Sequence, residues 1–394
     1  MSLIIPIVVE SLQLSKPQAK FLCTFFSTLF VLRGRATITN LARFSGLSER
    51  TFRRNFQKAW GFPRLNSLLM DLLGLGESIA VIDATTIPKS GRKTFGVGWF
   101  WSGSRNRMIR GLEVSCIAIV SLEFRTAFAL SVRQTLAKTR KLSRLDHYLK
   151  QVQGCKRQLR KRVKYLVADG FYSKKEFVEG VCGIGIDFIG RLRQDANMRY
   201  LYKGKHPKRR GPKRKYSGKF KSIHRRRFRL IGSLENMPGI LLYSCDLYHV
   251  SLKRKVRVAA LLDPESGKYI LLFCTDLSIK PEKIINYYSA RFQIEFLFRD
   301  AKQHMGFEHC QSRSKKALDF HFNATLTAVN IAKVEILLNR KKGERKPISI
   351  ADFKIAQSNR FWLNRIISKL ELDPNLIINH PNFTGLLNFG RMVA

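Results

Sequence analysis

Two short apolar runs each lead directly into an aspartate, and this repeated arrangement limits the folds open to the chain. The first, "SIAVIDATT" at residues 78–86, places Asp83 after four apolar residues. The second, "VKYLVADGFYS" at residues 163–173, places Asp169 just before Gly170. Short apolar runs bounded by turn residues read as buried strands, here each ending at its aspartate. Between them, "LEVSCIAIVSL" and "RTAFALSV" predict adjacent antiparallel strands, and a basic stretch from about 140 to 162 predicts helix. After the second, "KKEFVEGV" predicts a helix and "GIDFIGRL" a further strand. Strands alternating with helices, with acids at strand ends, predict an α/β fold with a mixed sheet. Either aspartate taken alone is more often a cap or turn residue than a reactive group.

A third acid stands on a different element. "NYYSARFQIEFLFRDAK", residues 286–302, predicts one helix. At about 100° per residue, Tyr288, Arg291, Glu295 and Lys302 share an arc of roughly 60°, while Ala290, Ile294, Leu297 and Ala301 collect opposite. The apolar stripe predicts docking on the sheet. A structural account of Glu295 also exists, as the i, i+4 partner of Arg291 and Arg299, worth about 0.2–0.5 kcal/mol per pair.

Charge narrows the partner. The 394 residues carry 72 Lys plus Arg against 28 Asp plus Glu, a formal +44. Such an excess calls for a polyanion, and nucleic acid is the first choice because phosphate neutralisation releases condensed counterions. No amphipathic anchor or lipidation motif points to a membrane. The apolar run "FLCTFFSTLFVL" is about half a membrane span and predicts a core helix. Seven scattered cysteines, with no CxxC pair, argue against a disulfide framework and a zinc site and suit a reducing compartment. Between Lys203 and Arg229 lie fourteen Lys or Arg and no acid, including Lys213, Arg214 and Lys215. A run of that kind predicts phosphate contact. Three β-like runs follow, "GILLYSC", "KVRVAALL" and "KYILLFCTD", and the chain then turns mainly helical from Ile279. Near the N-terminus, "TITNLARFSGLSERTFRRNFQKAW" has the pattern of a helix-turn-helix. Gly46 marks the turn and Ser48 caps the second helix, which turns Phe52, Phe56 and Ala59 inward and presents Arg50, Arg53 and Arg54 to a major groove. A plain αα-hairpin with a basic surface is the alternative.

The residues around the three acids carry a specific resemblance. Tyr288, Arg291, Glu295 and Lys302 have the spacing of the Y-R-E-K signature of DDE transposases from bacterial insertion sequences. "DATTIPKSGRKTFG" and "VADGFYS" resemble the surroundings of that family's first and second aspartates, and "LLFCTDLS" through "MGFEHCQSRS" the run through its glutamate. The similarity covers most of residues 78–335. One departure is Phe292, where many relatives carry tryptophan. The resemblance implies a ribonuclease H-like catalytic core with a β-rich insertion domain and a helical N-terminal DNA-binding domain. It implies that Asp83, Asp169 and Glu295 lie within bridging reach of two Mg2+ ions, with Mn2+ as a substitute. An oxygen nucleophile, water first and a DNA 3′-hydroxyl later, would attack the phosphodiester in line. Tyr288, Arg291 and Lys302 would grip phosphates, and Tyr269 matches an aromatic on which some relatives stack a flipped base.

The expected organisation is therefore a helical domain over 1–75, a catalytic core over 76–191 and 276–340, a basic β-rich insertion over 192–275, and a helical region over 341–394. The expected partner is double-stranded DNA, both transposon ends and target, bound by a homodimer or higher oligomer in a prokaryotic, nucleoid-associated cytoplasmic setting, with no membrane. Two other readings keep part of this pattern: a non-catalytic DNA-binding derivative, and a ribonuclease H-like nuclease. The charge yields a direct expectation. Binding to duplex DNA weakens steeply with ionic strength, each neutralised phosphate adding about −0.9 to the slope of log K against log salt. Deleting residues 203–229 flattens that slope; an unchanged slope in a salt titration would show that the run does not touch the DNA.

Overall fold

The computed structural model describes residues 4–137, 143–204, 211–224, 226–234, 237–340 and 347–392. Parts of the basic run (205–210 and 225), of the basic helical stretch (140–142), of the C-terminal region (341–346, 393–394) and residues 1–3 lie outside it.

Five helices come first: α1 (Ile4–Glu10), α2 (Lys16–Val31), α3 (Ile38–Ser45), α4 (Glu49–Phe56) and α5 (Phe62–Asp71). The long apolar run forms most of α2, with Phe21, Phe25, Phe26 and Phe30 buried as a core helix requires. Among the described residues no helix is long and apolar enough to cross a membrane. α3 and α4 make the expected helix–turn–helix pair. Ser48 accepts from the Thr51 amide at 3.2 Å, and Gly46 turns the chain at φ 72°, a left-handed conformation that glycine adopts without strain. Phe52 and Phe56 are buried, but Ala59 is exposed, contrary to its expected inward placement. α4 ends at Phe56, and the Trp60 indole donates at 2.9 Å to the Asn55 carbonyl, so the helical face does not extend to Ala59.

The sheet is built from β1 (Ser78–Pro88), β2 (Gly98–Ser102), β3 (Arg107–Ser121) and β4 (Thr126–Thr135). After α6 (Arg144–Gly154) and α7 (Lys156–Arg162) come β5 (Tyr165–Val167), α8 (Lys175–Gly183) and β6 (Asp187–Leu192). β4, β3 and β1 run antiparallel, and β5 and β6 follow parallel to β1, in the order β4-β3-β1-β5-β6. This mixed order is consistent with the ribonuclease H-like core that the resemblance implies. The strands β7 (Met198–Leu201), β8 (Tyr216–Lys219), β9 (Arg229–Leu234), β10 (Met237–His249), β11 (Arg254–Leu262) and β12 (Tyr269–Cys274) complete the sheet. The sequence had pointed only to β10, β11 and β12. The three others are short and interrupt a polar, basic stretch with little alternation, so periodicity did not mark them. β12 pairs antiparallel with β6, and the order continues β11-β10-β7-β8, so hydrogen bonding runs across residue 192 without a gap.

Helices α9 (Pro281–Ala290), α10 (Gln293–His304) and α11 (Lys315–Leu338) follow, then α12 (Ile350–Lys369), α13 (Pro374–Ile378) and α14 (Phe383–Asn388). α11 is buried along nearly its whole length and covers β4. Because β4 has only β3 as a strand neighbour among the described residues, its other edge needs partners for its backbone. Two asparagines of α11 supply them. Asn330 exchanges bonds with the Ala129 amide (2.9 Å) and carbonyl (2.7 Å), and Asn323 with those of Val132 (3.2 and 2.9 Å). Between these points β4 bulges, and Asn66 of α5 donates to the Leu130 carbonyl at 3.3 Å.

α11 also carries Phe320, whose ring centroid lies 4.3 Å from Phe56, 5.3 Å from Phe25, 5.6 Å from Phe62, 5.9 Å from Trp60 and 6.0 Å from Phe21. One side chain thus joins α2, α4 and α5 to the sheet-covering helix. Replacing Phe320 by alanine opens a cavity where these aromatics meet and should cost about 3–5 kcal/mol. Denaturant unfolding measures the loss, and limited proteolysis of the variant should cut first near residues 32–37 or 72–77, the links around those helices.

Candidate active site

β1 and β5 pair in parallel only over Ala80↔Leu166 and Val81↔Val167. Each chain then places an aspartate two residues beyond the last pair, Asp83 on β1 and Asp169 after β5. The two acids thus sit together just past the carboxyl end of the parallel β1–β5 pairing, on the side where open α/β sheets present their ligand sites. Asp83 does not end its strand, as the sequence had suggested. β1 continues to Pro88 because β3 stays paired with it as far as Gly111, with Asp83 opposite Cys116. The apolar run stops at Asp83 because the β5 side of β1 is open from there. Asp169 does end its strand and caps a short 3-10 turn, accepting from the Phe171 amide at 2.8 Å. The turn role and the site position coexist in the same residue.

The expected single helix over 286–302 is two helices. α9 ends at Ala290 and α10 starts at Gln293. No proline or glycine breaks it; the joint is a tightened turn in which Phe292 donates to the Ser289 carbonyl (3.2 Å) and Glu295 to that of Phe292 (3.0 Å). Beyond the joint, Ile294, Leu297 and Ala301 are fully buried as expected, while Ala290, on the other helix, is only half-buried. Glu295 is exposed in the first turn of α10, and Arg291 lies in the joint itself.

Arg291 connects the acids. One guanidinium nitrogen lies 3.5 Å from Asp83 Oδ2 and another 3.4 Å from Glu295 Oε1, with the side chain 17% exposed. Its guanidinium also lies 5.8 Å from the Tyr288 ring centre. Burial pushes the Asp83 carboxyl up to about 6; Asp169 and Glu295 add to the rise, and the Ala84 amide and Arg291 oppose it. Asp83 is therefore within electrostatic reach of both other acids. The three are not gathered into a closed cage: among the described residues no group of three or more His, Cys, Asp or Glu stands close enough to hold a metal ion. The expectation of three carboxylates already within bridging reach is corrected on this point, and Arg291 occupies the space between two of them. The donor chemistry nevertheless suits a hard dication, since the acids are oxygen ligands on rigid elements, and the ionised form of Asp83, disfavoured by burial and by its two acidic neighbours, would gain from a cation.

The other expected residues divide by location. Lys302 Nζ lies 3.4 Å from the Thr86 carbonyl of β1 and 3.2 Å from Glu308, three strand residues beyond Asp83. Tyr288 is half-buried, and burial pushes its hydroxyl up against the influence of Arg291. Tyr269 lines a cleft of about 690 Å³ together with Gly170, Phe171, Lys174 and Arg191, next to Asp169. Arg191 and Phe171 were not anticipated; a lone arginine in the apolar strand "GIDFIGRL" was the available signal. Lys213, Arg214 and Lys215 are exposed beside β8, seven strands from β1 and so roughly 30 Å away. Arg50, Arg53 and Arg54 are exposed on α4, with Arg53 bound to Glu49 at 2.9 Å. Neither basic group joins the acids.

The electrostatics set a stability test. A carboxyl whose folded value lies above its unfolded one costs stability when ionised: the penalty is present above pH 6 and fades as pH falls toward 4. Asp83→Asn should therefore stabilise the metal-free protein at pH 7.5, by about 1–3 kcal/mol, and by about half as much at pH 5. Thermal unfolding at the two pH values measures both; equal effects would show that the Asp83 charge carries no such penalty.

Comparison with known proteins gives the family. The family described as "Transposase DDE domain" matches residues 74–331. No curated protein matches the chain. Among solved structures, a piggyBac transposase synaptic complex with hairpin DNA aligns at a TM-score of 0.40 and 11% identity, over 95% of this chain and 75% of that one. The matched span contains Asp83, Asp169, Arg291, Glu295 and Lys302 and the whole mixed sheet; the chain belongs to the DDE-domain transposase family.

Proposed function

We propose that the chain is the transposase of a bacterial insertion sequence, binding terminal inverted repeats, cutting at the element ends and joining them to target DNA. The observation that carries this reading is the placement of Asp83 and Asp169 side by side just beyond the end of the parallel β1–β5 pairing, with Glu295 tied to Asp83 through Arg291, in a family member of charge +44. Asp83, Asp169 and Glu295 would hold two divalent ions, Mg2+ with Mn2+ as a substitute. Such ions, when bound, polarise a phosphodiester and ease the departure of its leaving oxygen.

The chain's own groups do the rest. Arg291 neutralises the acids in the free protein and is placed to turn to a phosphate when cations take over that task. Tyr288 and Lys302 flank it and would fix the scissile strand, since phosphate contacts set register without reading sequence. Tyr269, Phe171 and Arg191 line the cleft beside Asp169, with room for a displaced nucleotide. Arg50, Arg53 and Arg54 would read duplex DNA from α4, and Lys213, Arg214 and Lys215 would hold its backbone farther out. Residues 1–75 then act as a DNA-binding unit, 76–191 and 276–340 as the catalytic core, 192–275 as an extension of its sheet, and 341–394 as a helical end. Two element ends must be brought together, so the working form is a dimer or larger, in a prokaryotic cytoplasm beside the nucleoid.

Cleavage of an element-end duplex tests the reading. The parent should cut in Mg2+ and not after chelation, while Asp83→Ala and Glu295→Ala each lose cutting by about 100-fold or more. Uncoupled outcomes are informative: a variant that cut like the parent would remove that acid from the site, and preference for an RNA–DNA hybrid over the end duplex would favour a ribonuclease.

A further inference from the structure

Beyond the candidate site, β2 and the start of β3 form a two-stranded ribbon that the acids do not account for. Trp99 and Trp101 are 63% and 53% exposed, and Met108, opposite Trp101, is 49% exposed. Strand alternation puts Trp99 opposite Arg110 and all four residues on one face. The other face is closed by buried Phe100, Ser102 and Ile109. Counting along β3, Met108 and Arg110 share their face with Leu112, Val114 and Cys116, and Cys116 pairs with Asp83. The exposed tryptophans therefore extend the same sheet face that carries Asp83. Gly98, Gly111 and Pro88 meet at one level, five residues beyond Asp83, which sets the tryptophans roughly 20–26 Å from it at about 3.3 Å per residue.

The ribbon is anchored at its root. The Phe95 amide donates to the Arg313 carbonyl at 2.9 Å, Gln134 to the Phe95 carbonyl at 2.8 Å, and the Lys89 amide to that of Arg110 at 3.2 Å. The Lys89 ammonium also bonds the Cys310 carbonyl. At Gly111 a Cβ would meet the Ile87 carbonyl at 2.1 Å, so three strands close together there only with glycine. Two indoles held in water on so fixed a support want a partner. Residues 89–111 contain six Lys or Arg and no acid, so the partner is an anion. A second copy of this +44 chain would be repelled. Aromatic faces among cations match nucleic-acid bases whose own faces are uncovered, because stacking tolerates any sequence while the cations hold the backbone.

We propose that this ribbon is a second DNA-binding element, in which Trp99 and Trp101 stack on unpaired bases of the DNA lying across the candidate active site. The inference rests on the transposase reading and adds a preference to it: for DNA that is opened about six to eight base pairs from the cut, at about 3.4 Å per pair.

Anisotropy titrations of the full chain against a fully paired labelled duplex, and against the same duplex with a short central bubble, test it. The parent should bind the bubbled duplex about tenfold tighter. Trp99→Ala/Trp101→Ala should erase that preference and leave both the paired-duplex affinity and its salt slope as in the parent. Trp99→Phe/Trp101→Phe should keep part of it, which separates stacking from loss of folding. A parent with no preference, or a double alanine variant that kept it, overturns the proposal while leaving end cleavage intact. A changed sedimentation coefficient with unchanged DNA binding would also overturn it, by making the ribbon a protein contact. A parent that bound neither duplex would overturn the transposase reading itself.

Discussion

The short parallel register between β1 and β5 is the constraint on which the candidate site depends. Only two residue pairs join these strands, yet they fix where both aspartates emerge. A slip of one residue on either strand would send its aspartate to the opposite face of the sheet. The register is held by burial: Ala80, Val81, Leu166 and Val167 are all inaccessible, so any slip would expose apolar surface and bury an acid. β3 and β6 brace the pair from either side, and α10 lies across β1.

Charge is the second constraint. Asp83 senses the charges of Asp169 and Glu295, and Arg291 lies in the joint between α9 and α10 with bonds to Asp83 and Glu295. A straight helix would keep the angular relation of Tyr288, Arg291 and Glu295 that the sequence suggests; the tightened turn alters it, bringing the guanidinium between Asp83 and Glu295. The arrangement stores a tension between stability and the proposed chemistry. Ionised Asp83 is disfavoured where it stands, as groups at reactive sites often are.

Much of the core was legible because its signals are strong and local. The apolar runs of β1, β3, β4, β5, β6, β10, β11 and β12 are dense enough to stand out, as are the capped pair α3–α4 and the buried stripe Ile294, Leu297 and Ala301. The misreadings share a cause. The continuation of β1 past Asp83 depends on β3 remaining beside it, and at the break between α9 and α10 Arg291 meets Asp83 of a distant strand. Neither partner is adjacent in sequence. Likewise β7 and β9 are strands because β10 offers them an edge, and β8 because β7 does, while Asn323 and Asn330 look like ordinary helix residues until they meet the free edge of β4.

The sequence by itself determined the alternation of strands and helices, the excess positive charge and the family signature, and it singled out the three acids. Those follow from residue type and short-range periodicity, which a linear chain carries openly. Tertiary structure alone decided that Asp83 lies in mid-strand, that Arg291 stands between two carboxylates, that Phe320 joins the N-terminal helices to the sheet, and that two tryptophans project from the face bearing Asp83. Each of these joins residues far apart in the chain, and only packing brings such residues within the few ångströms over which hydrogen bonds, ring contacts and unscreened charges act.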